Sequence, residues 1–358
     1  MISRYKETFT LPFGEDIPCY LEAYQPQIKN PSRVIKFIKR YIYMVFKKEF
    51  TNEKFEILDS HKKILWINKS APSLGDSLMD LSSRVLLTSK DVDLLTDKKN
   101  EFIYGDDLIF KNTFCEIESL KGKFYDLIIL DSYSTRTIAL KNKLFPDTDF
   151  VSMFGFFNGP EVNRVLFSFH RLNNLLGRKM LSSEIRKIAR PSMSINKVQS
   201  IKLPNDYVVI GIGGEWKYRT YQHWPEVISF ILKKYKNIKI VLVGSENGKD
   251  YAKSIMSKFT TDQVIDCVGK YNFKETAKII SKSNIFIACD GGLMHAANCF
   301  QKILVPLFAR LEPKMQLTES ILAFPEYDKD DVSNIPIDAI LRNFDKAFKS
   351  CYKYHKYE

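Results

Sequence analysis

The chain has 358 residues, enough for two domains of ordinary size, and its 45% hydrophobic and 27% charged residues predict a globular protein with ample core material. No run of about 18 apolar residues predicts a membrane-spanning helix, and the segment Met1 to Glu7 does not lead into the apolar region of a secretory signal. The formal net charge of +12 favours an anionic partner: nucleic acid, a phosphorylated substrate or an anionic membrane surface. A basic proteome background is the plainer alternative.

The six cysteines, at positions 19, 115, 267, 289, 299 and 351, are scattered, and no two of them form a C-x-x-C pair. This spacing does not predict a zinc site, and a chain of this length needs no disulfide framework. We therefore expect reduced thiols, as in a cytoplasmic protein.

Residues 1–62 predict an irregular N-terminal extension with one amphipathic basic stretch, Val34 to Phe50. On a helical wheel its apolar side consists of Val34, Ile35, Ile38, Ile42 and Val45, surrounded by Lys36, Lys39, Arg40 and Lys47. Two alternatives follow from this pattern. The helix can lie on an anionic bilayer, or it can pack on the first domain with its lysines in water.

From Lys63 onward, short apolar runs alternate with helical periodicity, which predicts a first domain at 63–190. Its predicted strands are Ile64–Ile67, Asp126–Leu130 and Phe150–Phe154, and its predicted helices are Ser73 to Leu87 and Glu161 to Leu176. A linker is expected at 191–205, where two prolines and scattered polar residues interrupt the periodicity.

The second domain, predicted at 206–330, has the clearer alternation. Its predicted strands are Val208–Ile212, Ile238–Val243, Val264–Val268, Ile285–Ala288 and Ile303–Leu307. Its predicted helices are Trp224–Lys234, Lys249–Phe259, Phe273–Ser281 and Gly292–Phe300. Beyond this sheet, residues 331–358 contain a last helix, about Ile337 to Lys349, for which a return to the first domain is one expected path.

Repeated strand–helix–strand units predict an α/β fold with a parallel, doubly wound, Rossmann-like sheet in each half. Two such domains are expected to face an interdomain cleft, with ligands beyond the carboxyl ends of the strands. This rule selects four loops: Ser70–Asp76, Gly213–His223, Gly244–Asp250 and Asp290–His295.

The loop after the predicted strand Ile285–Ala288 combines charge with glycine. Gly291 and Gly292 open a helix whose free backbone N–H groups can approach a diphosphate. Asp290 can orient the loop or accept a hydrogen bond from a sugar hydroxyl, and His295 can face the cleft and contact phosphate. In the alternative reading, Asp290 is an N-cap and His295 a surface histidine.

The loop from Gly213 to Pro225 is rich in basic and aromatic residues. Gly213 and Gly214 permit close backbone approach, and Lys217 or Arg219 can neutralise a leaving diphosphate. The alternative is a solvated basic loop beside a core tryptophan.

Asp76 follows Gly75 at a predicted strand-to-helix turn. A carboxylate there can take the proton from an attacking hydroxyl, and it serves equally well as an N-cap. Two Asp-x-Asp sequences, at 91–93 and 147–149, resemble metal motifs but lie in the first domain, away from the glycine-rich loops of the second. We interpret them as ordinary surface acids.

Three motifs together resemble glycosyltransferase family 9, the ADP-heptose:lipopolysaccharide heptosyltransferases. They are Ser73-Leu74-Gly75-Asp76, Trp224-Pro225 and the stretch from Asp290 to Ala297, in the family's order, over roughly residues 63 to 313. The Asp-Gly-Gly-Leu-Met-His stretch is fairly specific, whereas Leu-Gly-Asp alone is a weak signal.

This resemblance implies a GT-B fold and an inverting, metal-independent transfer that needs no cofactor. It makes Asp76 the general base, places Ser73 near the acceptor, and assigns Asp290, Gly291, Gly292 and His295 to the nucleotide-sugar donor, ADP-heptose. The implied acceptor is the anionic, lipid-linked lipopolysaccharide or lipooligosaccharide core. The implied location is the cytoplasmic face of the inner membrane, with the protein bound peripherally.

The sequence also departs from the family pattern. Gln222 and His223 stand where a lysine usually precedes Trp-Pro, so Arg219 or Lys217 is expected to supply that charge. Glu246 or Asp250 is expected to contact the nucleoside, and the extension of about 60 residues is unusual for the family.

Three other functions remain as alternatives: a family member with another donor or acceptor, a nucleotide-sugar epimerase, and a non-catalytic nucleotide- or carbohydrate-binding protein. Nucleic acid is not an expected partner, because no RNA-binding signature accompanies the charge.

Overall fold

A computed structural model describes residues 1–20, 31–69 and 71–354. Residues 21–30, which precede the amphipathic stretch, Ser70, which opens one predicted loop, and residues 355–358 lie outside the described residues. The chain divides into two compact units, Met1–Ala189 and Arg190–Glu358. Within the described ranges, no helix is long and apolar enough to cross a membrane.

The first unit is built on a five-stranded parallel sheet with the order β3-β2-β1-β4-β5. The central strands are buried over nearly their whole length because helices cover both faces of a parallel sheet. The strands are β1 (Lys63–Asn68), β2 (Asp91–Thr96), β3 (Phe110–Phe114), β4 (Leu127–Leu130) and β5 (Phe150–Ser152).

Seven described helices belong to this unit: α1 (Ile2–Lys6), α2 (Pro31–Phe46), α3 (Leu74–Asp80), α4 (Lys98–Tyr104), α5 (Thr135–Leu144), α6 (Arg164–Leu175) and α7 (Ser182–Ile188). Three of them begin where a polar side chain accepts a hydrogen bond from a free backbone N–H. These caps are Ser73, Ser134 and Asn163. The predicted helix Ser73 to Leu87 is in fact α3 followed by a 3-10 turn, Ser82–Leu87.

The N-terminal segment is folded onto the first sheet. Phe37 and Met44 of α2 are buried in the same core as Leu65 and Ile128. Just after α2, Glu49 forms a fully buried ion pair with Lys141 of α5, with 2.6 Å between Oε2 and Nζ. The packing alternative for the amphipathic stretch is thus confirmed for one side of the helix.

The second unit contains a six-stranded parallel sheet with the order β11-β10-β9-β6-β7-β8. Counted from its first strand, this is the 3-2-1-4-5-6 order of dinucleotide-binding folds. The strands are β6 (Tyr207–Gly211), β7 (Lys239–Val243), β8 (Val264–Asp266), β9 (Ile285–Cys289), β10 (Ile303–Ala309) and β11 (Glu326–Asp328).

The helices of the second unit are α8 (Trp224–Lys234), α9 (Lys249–Met256), α10 (Phe273–Ser281), α11 (Gly292–Cys299) and α12 (Ile337–Tyr354). Sequence left open whether the last helix returns to the first domain. In the structure α12 packs against α8 and β10, and its Ile340 and Phe344 are fully buried in the second unit's core. An ion pair between Lys234 and Asp345, at 2.5 Å, joins α8 to α12.

Sequence reasoning missed strand β2 because its run Asp91-Val92-Asp93 alternates charge with apolar residues. The interpretation of this run as ordinary surface acids is wrong for Asp93, which is buried. Its carboxylate accepts hydrogen bonds of 2.8 Å from both Asn112 Nδ2 and the Tyr125 hydroxyl. Asp93 therefore satisfies polar groups inside the first sheet.

Candidate functional site

Asp76 lies in the first turn of α3, just beyond the carboxyl end of β1. Ser73 is the N-cap, so the N-cap alternative for Asp76 is corrected: Asp76 occupies the third helical position. Its Oδ2 accepts hydrogen bonds from the Ser73 backbone N at 3.2 Å and from Ser73 Oγ at 2.7 Å. This capping box fixes the carboxylate beside an exposed serine hydroxyl.

Arg164, the first residue of α6, holds the other oxygen of Asp76. Its Nη1 donates to Asp76 Oδ1 at 2.6 Å, while Nε and Nη2 bind Asp80 in a bidentate pair at 2.8 and 2.6 Å. Asp76 and Asp80 are four residues apart on α3 and so share one helix face. Asp80 thus orients Arg164, and Arg164 orients Asp76.

Burial sets the protonation of this cluster. Burial and the neighbouring charge of Asp80 raise the pKa of Asp131, at the end of β4, to about 8. Burial also raises the pKa of Asp80, against the opposing effect of Arg164. Burial lowers the pKa of the Arg164 guanidinium, but the two paired carboxylates raise it further, so it stays charged. At neutral pH we expect Asp131 to carry a proton.

Access distinguishes the two carboxylates that Arg164 binds. The Asp76 side chain is 22% exposed, whereas that of Asp80 is 9% exposed. Asp76 is thus the carboxylate of the pair that an outside hydroxyl can reach, and Ser73 lies beside it. Arg164, Asp80 and Asp131 were absent from the sequence-based site.

In the second unit, the loop after β6 depends on two glycines. Gly213 has φ +79°, a left-handed conformation that favours glycine, and a Cβ there would lie 3.0 Å from the Gly248 Cα. A Cβ on Gly214 would lie 2.8 Å from the Arg219 carbonyl oxygen. The Gly214 carbonyl accepts a hydrogen bond of 2.9 Å from Asn247 Nδ2. The backbone packs so tightly here that a side chain at either position would collide with it, which explains the paired glycines.

Arg219 and Asp290 come together from loops that follow neighbouring strands, β6 and β9. Arg219 Nη1 lies 3.4 Å from Asp290 Oδ2, and the aspartate side chain is almost fully buried. Arg219 Nε is buried and, among the described residues, has no hydrogen-bond partner. Gly291 is the N-cap of α11, so the alternative in which Asp290 is the N-cap is wrong.

The start of α11 is open at its glycines. A Cβ on Gly291 would meet no atom within 4 Å, and one on Gly292 would reach only the Phe273 ring at 3.4 Å. This leaves space for a ligand beside the backbone at the start of α11. His295, one turn further on, is buried, with 3% of its surface exposed, so the surface-histidine alternative is wrong. Its predicted contact with phosphate stays a prediction.

Lys217 and Glu246 lie at the rim of the second-unit loops. Lys217 is exposed in the 3-10 turn Lys217–Arg219, beside Trp216, whose ring is half-exposed. Glu246 is exposed after β7 and pairs with Lys249 at 2.7 Å, and Asp250 is also exposed. A contact that the sequence did not indicate is the stacking of Arg310 on Tyr218, at 3.8 Å from the ring centroid.

The predicted donor residues thus follow three adjacent strands of one sheet, β7, β6 and β9, and Arg219 and Asp290 form a direct side-chain pair. Within the described ranges, no group of three or more His, Cys, Asp or Glu side chains is arranged to hold a metal ion.

The first unit also contains a half-open cavity of about 480 Å³ beside the loops that follow β4 and β5. Glu7 and residues 10–14 line one side of it. The lining includes the aromatic rings of Phe13 and Phe157 and the carboxylates of Glu7 and Glu53. Apolar faces with a few fixed polar groups are typical of small-molecule sites.

Comparison with known proteins identifies a family that this chain resembles. The model of glycosyltransferase family 9 (heptosyltransferase) matches residues 161–319. The resemblance to glycosyltransferase family 9 is confirmed. The enzyme class, a glycosyltransferase, is confirmed with it. No curated protein matches the sequence.

Solved structures of family 9 glycosyltransferases share the fold. A family 9 glycosyltransferase from Veillonella parvula has a TM-score of 0.65 at 11% identity, covering 82% of this chain and 99% of its own. The E. coli ADP-heptose lipopolysaccharide heptosyltransferase II has a TM-score of 0.63 at 16% identity, covering 80% and 99%. E. coli heptosyltransferase WaaC, solved with ADP-2-deoxy-2-fluoro heptose, has a TM-score of 0.59 at 16% identity, covering 79% and 99%. The predicted fold class, α/β of the GT-B type, is confirmed.

Proposed function

We propose that this family 9 glycosyltransferase moves a heptose from ADP-heptose to a sugar hydroxyl of a lipid-linked, anionic lipopolysaccharide or lipooligosaccharide core, at the cytoplasmic face of a membrane. The observation that carries the proposal is the accessible Asp76 carboxylate, held by Ser73 and Arg164, in a chain whose residues 161–319 match the family model. The WaaC neighbour, solved with a fluorinated ADP-heptose, makes ADP-heptose the first donor to test.

In the proposed reaction, Asp76 takes the proton of the acceptor hydroxyl as that oxygen attacks the anomeric carbon. The new bond forms on the face opposite the diphosphate, the bond from carbon to the diphosphate oxygen breaks, and ADP leaves with the electron pair. The configuration inverts, and the proton stays on Asp76 until solvent removes it. Arg164 and Ser73 hold the carboxylate in one orientation, so little reorganisation is needed.

The second unit is proposed to bind the donor. The N–H groups at the start of α11 and the guanidinium of Arg219 can stabilise charge as it develops on the leaving diphosphate. Asp290, paired with Arg219, keeps that guanidinium in place and can accept a hydrogen bond from a sugar hydroxyl. Lys217 adds a second cation at the rim.

The cavity of the first unit suggests how a longer acceptor is bound. Arg164 and Arg171 are seven residues apart on α6, so they share a helix face and lie about 10 Å apart along the axis. Arg164 contacts Asp76, and Arg171 lines the cavity. We propose that the reacting sugar lies at Asp76 while an uncharged sugar of the acceptor occupies the cavity, because the Glu7 and Glu53 carboxylates of its lining would repel an anionic one.

A donor screen with purified protein tests the proposal. ADP-heptose and other ADP-, UDP- and GDP-sugars are each supplied with one-sugar and two-sugar core acceptors, and both nucleotide release and product mass are measured. We expect transfer only with an acceptor present, from ADP-heptose above other donors, and a lower KM for the longer acceptor. An epimerised sugar without transfer would select the epimerase alternative, and nucleotide binding without turnover would select a binding protein.

The same assay addresses metal dependence. Because backbone amides and basic side chains can neutralise the diphosphate, we expect excess EDTA to leave the initial rate almost unchanged. Loss of activity in EDTA, restored by magnesium or manganese, would contradict this part of the proposal.

A further inference from the structure

One face of α2 is apolar and exposed. Ile35, Ile42, Val45 and Phe46 are 65%, 55%, 52% and 74% exposed, and Ile38 is 38% exposed. At about 100° per residue, these five side chains fall on an arc of roughly 100° along the helix. An apolar stripe of this length on a surface helix marks an interaction site more often than chance exposure.

The opposite side of the same helix fixes its orientation. Phe37 and Met44 are buried in the core of the first unit, so α2 cannot turn its isoleucine face inward. Arg33 Nη1 also donates to the Gly159 carbonyl at 3.1 Å, and Lys36 Nζ donates to Asn158 Oδ1 at 3.1 Å. The apolar stripe is therefore held outward by contacts at several points along the helix.

The charge around this stripe has a single sign. Residues 31–48 contain six Lys and Arg residues and no Asp or Glu. On the helical wheel, Lys39, Lys36 and Lys47 follow one edge of the apolar arc, and the buried face follows the other. An apolar face flanked by cations is the pattern of helices that lie in the interface of an anionic membrane.

We propose that the exposed face of α2, consisting of Ile35, Ile38, Ile42, Val45 and Phe46, docks the protein on an anionic lipid bilayer. The apolar side chains enter the boundary between head groups and acyl chains, while Lys39 and its neighbours contact lipid phosphates. The purpose of this docking, access to a lipid-linked acceptor, rests on the proposed function. The docking itself does not depend on it.

A second copy of this chain is a poorer partner for the same face. In a two-fold symmetric contact between antiparallel α2 helices, the cationic edge of each helix would lie near that of its partner. Like charges brought together in this way oppose association, and no acidic residue within 31–48 offsets them. Lipid phosphates supply the charge that the face lacks.

Sedimentation with vesicles tests the proposal without any enzymatic step. The full-length protein is mixed with phosphatidylcholine vesicles that contain either no phosphatidylglycerol or a substantial fraction of it. Two variants disrupt the face: Ile35→Ser/Ile42→Ser removes apolar area, and Lys39→Glu reverses a charge. Two controls match them elsewhere: Leu108→Ser/Leu181→Ser removes exposed leucines, and Lys258→Glu reverses an exposed lysine of the second unit.

We expect wild type and both controls to bind anionic vesicles, more weakly as salt increases and hardly at all without phosphatidylglycerol. Lys39→Glu should weaken binding at least about fivefold, since each cation near such a surface contributes about this much. Ile35→Ser/Ile42→Ser should weaken it about tenfold or more.

The proposal is overturned if wild type stays in solution with anionic vesicles, or if the α2 variants bind as well as their controls. It is also overturned if wild type is a dimer by light scattering and Ile35→Ser/Ile42→Ser is a monomer, because the face would then bind a second copy. Transfer to a soluble acceptor is measured in parallel. Vesicle binding without transfer supports the docking and refutes the proposed function. Transfer without vesicle binding supports the proposed function and refutes the docking.

Discussion

The carboxylate site of the first unit and the glycine loops of the second unit are built in different ways. Around Asp76, side chains distant in sequence bind one another: Arg164 is 88 residues from Asp76. The second-unit loops depend on glycines, with Gly213 packed against Gly248 and Gly291 open, and Arg219 lies 3.4 Å from Asp290.

This difference fits two different chemical tasks. A group that removes a proton must have a fixed direction, and the bonds from Ser73 and Arg164 provide it. A loop that binds a diphosphate must let oxygen atoms approach N–H groups, and glycine permits this approach. Substitutions in the first unit should therefore change the rate, and those in the second should change donor affinity.

The largest effect is expected for Asp76→Asn. Asparagine can still accept the Ser73 hydrogen bond, but it cannot take a proton, so turnover should fall about 10²–10⁴-fold. Initial rates with saturating donor and acceptor measure the loss, and a melting curve serves as the control for folding. Near-normal turnover would make Asp76 a structural member of the capping box.

Arg164→Ala should reduce stability as well as the rate. The substitution leaves Asp80 buried without its cation, and we expect the free energy of unfolding to fall by about 3 kcal/mol. This value is at the low end for a broken buried ion pair, because a quarter of the Arg164 side chain is exposed. Urea unfolding measures the loss. Arg164→Lys retains the charge but not the bidentate geometry, so its free energy of unfolding should lie between those of wild type and Arg164→Ala. Equal stability of all three proteins would contradict a stabilising pair between Arg164 and Asp80.

Arg219→Ala should weaken donor binding about tenfold or more, because it removes a charged hydrogen-bond donor from the diphosphate. Titration with ADP measures the change. Arg342→Ala, which removes an exposed arginine of α12, is the matched control for net charge. If both variants bind ADP equally, Arg219 is not a diphosphate ligand.

A pH-dependent effect concerns Asp131, whose pKa is raised to about 8 in the folded protein. The folded state keeps this proton while the unfolded chain loses it near the ordinary carboxyl pKa, so stability should decline as pH rises from about 4 to 8. Asp131→Asn mimics the protonated form and should escape this decline. Its melting temperature relative to wild type should therefore rise between pH 5 and 8, and a constant difference would argue against a protonated Asp131.

The regular parts of the fold could be predicted because their signals are local. Helices Trp224–Lys234 and Phe273–Ser281 match at both ends. Pro225 marks the first turn of one, and Asn272 caps the other with Glu275 in a capping box. The start of α11 is also marked in the sequence, by the pair Gly291–Gly292. The predicted donor loops could be found in the sequence because their glycines and charged residues are also local signals.

The carboxylate cluster could not be predicted in full. Arg164, Asp80 and Asp131 look like ordinary surface residues until the sheet brings β1, β4 and the start of α6 together. The periodicity of α2 was equally ambiguous, because the helix has a buried aromatic side and an exposed isoleucine side. A helical wheel shows apolar residues but does not show which of them the fold buries.

The most direct test of the division between chemistry and donor binding is the ADP dissociation constant of Asp76→Asn, measured by calorimetric titration beside wild type and Arg219→Ala. We predict that Asp76→Asn binds ADP as tightly as wild type, while Arg219→Ala binds it more weakly. If Asp76→Asn loses as much ADP affinity as Arg219→Ala, Asp76 contributes to nucleotide binding, and the assignment of chemistry to the first unit and donor binding to the second is wrong.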